Sequence, residues 1–198
     1  MRWWRSWRAD PSARRIADGH YTRQKVGADQ FVPPGRCVVL VVPQWCYWVT
    51  SWPYPEYVKH AWPGAWACSA FRSVRRCTSC GHPAPCPDHP MAPTQTLGRS
   101  SELILEALAA TRSYWEPPPE GMITFVDPGK VLHKRDPGRC FRKAGFHVSG
   151  TRPGCACEGK PDRTEEEELL ALHLGADQMP AALEPRGAQL LLATGGTR

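Results

Sequence analysis

The chain has 198 residues, 25 Lys and Arg against 19 Asp and Glu for a formal net charge of +6, and 41% hydrophobic residues, which suits one ordinary α/β-sized domain that can bury a core unaided. No apolar run reaches the roughly 18 to 20 residues a membrane-crossing helix needs, and MRWWRSWRAD carries no apolar stretch behind its arginines, so the expectation is a chain neither exported nor membrane-spanning. In the reducing compartment this implies, the nine cysteines read as thiols or metal ligands rather than as disulfides.

Residues 1–9, with Trp3, Trp4 and Trp7 among arginines, read as a basic arm, amphipathic or disordered, and base stacking is one use for its rings. Asp10 as N-cap and Pro11 at the first helical position predict a short helix ending near Gly19. Strands are expected at Cys37 to Val42, where unbroken Val and Leu imply burial on both faces, at Cys46 to Ser51, and at Trp66 to Ser73. The apolar spacing of Ile104, Leu108, Thr111 and Trp115, with Leu105 at its flank, predicts a helix that Pro117 to Pro119 stop. A strand from Met122 to Val126, a short helix from Pro137 to Ala144 and a strand from Phe146 to Gly150 follow. Thr164 with Glu167 forms a capping-box pattern, which predicts a last helix to about Leu174. Residues 176–198, rich in Ala, Pro and Gly, read as a poorly ordered tail. The domain proper is then 10–175, with a Cys/His loop inserted at 74–93.

That loop holds Cys77, Cys80, Cys86 and His89 as a C-x2-C and a C-x2-H pair, spacings at which two side chains converge on one ion. Few apolar side chains are available to hold it, so a structural zinc is the expected staple. The five-residue spacer is short, which makes His82 an alternative ligand; Cys155 and Cys157 form a weaker C-x-C pair.

Charge is uneven along the chain. Eight Lys or Arg fall in residues 1–36, and six between 128 and 143. This is either a solvated face or a phosphate-binding one; in the second reading Arg23, Lys25, Lys130, Lys134, Arg135, Arg139, Arg142 and Lys143 would grip DNA. His20 titrates near neutrality and Asp127 ends a strand where α/β sheets present catalytic groups, so His20, Tyr21 and Asp127 are candidates for proton transfer. Against this, Asp before Pro is often only a turn former. Tyr47, Trp48 and Trp52 are stacking candidates by residue type, and core residues by the same token.

The order helix, three strands, helix, strand, helix, strand, helix is compatible with the GNAT fold, a mixed sheet flanked by helices that splays open to admit a thioester. QTLGRS, with Gln95, Gly98, Arg99 and Ser100 ahead of a helix, resembles the pyrophosphate loop of GNAT acetyltransferases; a helix cap containing Gly is the plain alternative. CFRKAGF resembles that family's Y-x-K-x-GF ending, with Phe141 where a catalytic tyrosine often stands. Taken together, GHYTRQK, FVPPGRCVVL, SSELI, TFVDPGKV and DPGRCFRKAGF resemble the Mom-type DNA-modification proteins of phages and prophages over roughly residues 10–150. The resemblance implies a GNAT-like enzyme that places a carbamoylmethyl group on the exocyclic amine of adenine in a bacterial host's cytoplasm, protecting phage DNA from restriction. It matches the family's His-Tyr-Ser element to His20, Tyr21 and Thr22 and its strand-end Asp to Asp127, a donor set in which iron is conceivable; the Cys/His loop and the long tail depart from it. Two rivals stay open: an acyl-CoA-dependent acyltransferase acting on a protein or small-molecule amine, and a non-catalytic zinc and nucleic-acid binding module.

Overall fold

The computed structural model describes residues 1–23, 25–58, 60–131, 136–153 and 168–187. Its centre is a seven-stranded mixed sheet in the order β1-β2-β3-β4-β7-β9-β8, comprising β1 (Trp4–Ser6), β2 (Arg36–Val42), β3 (Cys46–Trp52), β4 (Trp66–Ser73), β7 (Met122–Val126), β8 (His147–Pro153) and β9 (Glu168–Leu174). A separate two-stranded ribbon pairs β5 (Arg76–Cys77) with β6 (Thr94–Gln95). Among the described residues three α-helices flank the sheet: α1 (Pro11–Ala17), α2 (Ser100–Arg112) and α3 (Arg139–Lys143).

The predicted strands at β2, β3, β4 and β7 and the helices α1 and α2 form where their patterns place them. Asp10 caps α1 by accepting from the Ser12 amide at 2.7 Å and from the Ser6 hydroxyl at 2.6 Å. Burial on both faces of β2 is explained by two half-cores. Val38 and Leu40 join Trp48, Trp66, Leu103, Ile104 and Leu108 beneath α2, whereas Val39 and Val41 join Ala13, Ile16 and Ala17 of α1.

Three expectations at the ends are corrected. The Trp-rich segment is not an arm: Trp4 to Ser6 pair antiparallel with Val39 to Val41, and Trp3 is fully buried with its indole N–H donating to the Leu103 carbonyl at 2.9 Å. Nor is Glu168–Leu174 the end of a helix. It is β9, inserted between β7 and β8, with Leu170, Leu172 and Leu174 turned to the main core and Ala171 to the other face. The period-two alternation of LLALHL decided over the local helix cue because a central strand satisfies both its neighbours; Thr164 and Glu167 lie outside the described residues. The tail is docked through residue 187. Leu183 donates to the Ala109 carbonyl at 3.0 Å, and Arg186 exchanges backbone hydrogen bonds with Trp3 and Arg5, covering the outer edge of β1. Among the described residues no helix is long and apolar enough to cross a membrane.

All neighbouring strands run antiparallel except β4 and β7, which are parallel and pair over Trp66 to Cys68 against Met122 to Thr124. Beyond those three residue pairs they part, β4 continuing beside β3 to Ser73 and β7 beside β9 to Val126.

Candidate functional site

The parting of β4 and β7 opens a cleft of about 1240 Å³, ample for a nucleotide-sized ligand and an acceptor together. Its walls are the second half of β4 from Cys68, the end of β7 from Thr124, the loop Gly19 to Thr22, the start of α2 at Arg99 to Ser101, and α3 with the turn before it. A single fold event, the separation of two parallel strands, therefore brings together segments that lie more than 100 residues apart in the chain.

Of the predicted trio, His20 and Tyr21 line this cleft and Asp127 lies buried beside it, next to Val126 of its wall. The His20 and Tyr21 rings stack with centroids 4.5 Å apart, and the Tyr21 hydroxyl lies against Asp127, whose carboxylate opposes its ionisation while the backbone amide favours it. Desolvation is the larger influence and holds the phenol above its ordinary value, so Tyr21 is a proton donor at neutral pH. Asp127 is buried, and its Oδ1 accepts from the Lys130 amide at 3.1 Å. The turn-forming role of an Asp before Pro is thus real here, and it coexists with the contact to Tyr21.

His20 is held rather than poised. Its Nδ1 accepts from the Thr22 amide at 3.2 Å and lies 2.7 Å from the Thr22 hydroxyl. An amide can only donate, so the neutral ring carries its proton on Nε2. Burial, seconded by the Arg72 charge and opposed by the Phe71 backbone, lowers the imidazole to about 4. The unfolded chain therefore binds a proton that the folded one refuses between pH 6.5 and about 4, and stability should fall as pH drops through that window. Urea titrations of the wild type and a His20→Gln variant check this: the variant should show a shallower loss from pH 6.5 to 4, and equal slopes would refute the assignment.

Phe141, in the segment CFRKAGF, is a core residue, packed edge-on to Phe71 and Phe146. Tyr47 and Trp48 are likewise buried, and Trp52 lies beneath the Arg36 guanidinium at 4.1 Å, so none of the three is an open stacking platform.

The QTLGRS segment divides. Gln95 belongs to the ribbon, away from the cleft lining, while Arg99 and Ser100 reach the cleft. No side chain caps α2, so the first-turn donors and the positive end of the helix dipole sit at the cleft wall. Gly98 has a nearer reason than a phosphate: a Cβ there would fall 2.5 Å from the Arg2 guanidinium, which bonds the Leu97 carbonyl and pairs with Glu106 at 2.8 Å.

The basic residues sort by what already holds them. Lys130, Arg139 and Lys143 are exposed and line the cleft, and Lys25 is exposed. Arg23 is not available: it bonds Asp18 and the carbonyls of Ala28 and Gln30 at 2.6 to 2.8 Å, bracing its own loop. Arg142 is engaged by Asp136 and the Pro137 carbonyl. Lys134 and Arg135 lie outside the described residues, as do Cys155 and Cys157. One cleft residue that the sequence reading missed is Arg72, an unremarked charge within a predicted strand. Its Nη1 is buried without a hydrogen-bond partner, a situation that costs about 1–3 kcal/mol.

The Cys/His loop forms a second site. Cys77, Cys80, Cys86 and His89 place their ligand atoms within 4.8 Å of one another, with Cys80 Sγ to Cys86 Sγ at 3.4 Å and Cys86 Sγ to His89 Nδ1 at 3.8 Å. Separations of this size match those between neighbouring ligands of one tetrahedral ion, so the cluster can bind a metal such as zinc. The backbone amide of Cys80, with help from Ser79, lowers the Cys77 thiol toward the thiolate that binds metal. His82 groups instead with Cys86 and Asp88. Among the described residues neither His20 nor Asp127 belongs to a cluster of three or more His, Cys, Asp or Glu with ligand atoms so close, and His20 Nδ1 is engaged by Thr22. The chain matches no protein-family model, no curated protein and no solved structure.

Proposed function

We propose that this protein is a GNAT-like group transferase of the Mom type, adding a small carbamoylmethyl or acyl group to the exocyclic amine of adenine in DNA. The observation that carries the reading is the cleft at the parting of β4 and β7, lined by His20, Tyr21 and an uncapped helix start, with Asp127 buried beside Tyr21. A mixed sheet opened between two parallel strands is the GNAT-like feature; the cations at the cleft are the DNA-facing one.

Chemically, the amine nitrogen attacks an electrophilic carbon of the donor. A C–N bond forms, the bond to the leaving group breaks, and the nitrogen must lose a proton. In this reading Tyr21 gives a proton to the leaving group, the amine's proton passes to Asp127, and Asp127 returns it to the phenolate, so that both are restored. His20, fixed by Thr22, orients the Tyr21 ring. Lys130, Arg139 and Lys143 would hold phosphates beside the cleft, and the target base would have to leave its stack to enter. Zinc in the Cys77, Cys80, Cys86 and His89 cluster would be structural, because four protein ligands leave no open position.

The uncapped start of α2 with Arg99 also favours a second reading, an acyl-CoA-dependent acyltransferase working on a protein or small-molecule amine. Mass spectrometry of nucleosides from cells expressing the wild type or Tyr21→Phe separates the two. The expected result is an adenine adduct in the first and a loss of at least about 100-fold in the second, the scale of one acid–base group. Unmodified adenine in both, from folded protein that binds coenzyme A but not DNA, would move the assignment to the second reading.

A further inference from the structure

Around the cleft, the carboxylates among the described residues are already committed. Asp18 accepts from Arg23 and the Gly27 amide, Asp127 from the Lys130 amide, and Asp136 pairs with Arg139 and Arg142. Arg72, on the cleft-lining half of β4, has no ion pair and no hydrogen bond among the described residues. Its cross-strand neighbour on β3 is Tyr47, and the ring beside it is His20; neither is an anion at neutral pH.

Two other arginines also bury an unbonded N–H, and both find compensation away from the cleft. Arg5 lies over the Tyr114 ring at 4.6 Å, and Arg112 donates to the Met179 and Pro180 carbonyls at 3.2 and 2.7 Å. Among the described residues Arg72 has no such substitute, yet the fold makes room for it. A Cβ on Gly19 would fall 2.1 Å from Nη1 and 2.6 Å from Cζ, so the guanidinium occupies the space a side chain at 19 would fill. A half-buried cation, given its own niche in a cleft and left without an acid, is half of an ion pair.

We propose that Arg72 is the anion-recognising residue of the cleft, its guanidinium taking a carboxylate or phosphate oxyanion of the molecule that enters beside His20 and Tyr21. The flat fork of an arginine suits an oxyanion that can accept two parallel N–H bonds, and a site screened from water strengthens both. This rests on the reading of the cleft as a substrate site, and it adds the chemical group by which a substrate is held there: a donor's carboxylate or a phosphate of nucleotide or DNA.

The test is an NMR titration of the full chain, following arginine Nε–H resonances while sodium acetate or inorganic phosphate is added at constant ionic strength against chloride. The Arg72 signal should shift saturably with one probe. Acetate as the tighter ligand would identify a carboxylate, phosphate a phosphoryl group. Binding should weaken at least tenfold in Arg72→Gln, and comparably in Gly19→Ala, which keeps the charge but displaces the guanidinium. Arg72→Lys should recover part of it. If neither probe saturates the wild-type signal, if the shifts centre on Arg139 rather than Arg72, or if a folded Arg72→Gln binds as the wild type does, the proposal falls. Should Arg72→Gln not fold, the wild-type titration and Gly19→Ala decide by themselves. Anion binding at Arg72 together with unmodified adenine would sink the DNA reading alone; an adenine adduct without anion binding would sink this one alone.

Discussion

Cys86→Ser will leave the chain unable to retain zinc. The wild type, equilibrated with zinc and then dialysed, should carry one ion per chain by native mass spectrometry, and the variant none. Cys86 is, with Cys77, one of the two buried members of the cluster and lies between Cys80 Sγ and His89 Nδ1, so its thiolate touches the coordination from both directions. Serine is a much poorer ligand for a borderline-soft ion, and the loss should be on the order of several kcal/mol of a structural site's total binding energy. The consequence reaches beyond the loop. Cys77 pairs with Thr94 across the ribbon, and the chain leaves Gln95 for Arg99 and the start of α2 after only three residues. Metal release should therefore broaden amide signals at residues 94–101 while leaving β2 and β3 unchanged. A wild-type chain that stays free of zinc under these conditions would remove the metal reading altogether.

Gly121→Ala will destabilise the fold by about 3 kcal/mol or more, combining a left-handed backbone that disfavours a side chain with a steric clash. Gly121 has φ of +68°, and a Cβ there would fall 2.1 Å from the Leu174 carbonyl oxygen. That oxygen belongs to backbone at the end of β9, which cannot rotate away as a side chain can. Gly121 is also pinned from the other side, because its own carbonyl accepts from the Trp66 amide at 2.9 Å. Any relief must pull β7 from β9 or from β4, the pairing on which the cleft depends. Urea unfolding measures it directly: a midpoint near that of the wild type would mean the junction is far softer than this geometry implies. The accompanying expectation is an unchanged slope, since the surface exposed on unfolding is the same.

Much of the fold was legible locally. The cap at Asp10, the apolar run of β2 and the 3.6-residue pattern of α2 each involve residues within a few positions of one another, and local interactions need no knowledge of the rest of the chain. The metal cluster was legible for the same reason, four ligands within a thirteen-residue loop. The failures share the opposite property. Trp3 and Trp4 looked like an exposed arm because nothing nearby covers them; their partners are Leu103, Val41 and Arg186. The strand β9 looked like helix because its acidic approach mimics a cap, whereas its stability comes from β7 and β8 on either side.

By itself, then, the sequence determined the mixed helix and strand content, most strand positions, and a Cys/His set that can bind metal, because short-range periodicity and spacing encode these directly. Only the tertiary structure decided which charges are available. Arg2, Arg23 and Arg142 read the same as Lys130 and Arg139 in the sequence, yet the first three are consumed by carboxylates and carbonyls brought to them by the fold. It also decided that His20, Tyr21 and Arg72 line one cleft, with Asp127 buried beside it. That convergence arises where two parallel strands stop pairing after three residues, and pairing between β4 and β7 is set by contacts more than 50 residues apart, beyond the reach of any local pattern.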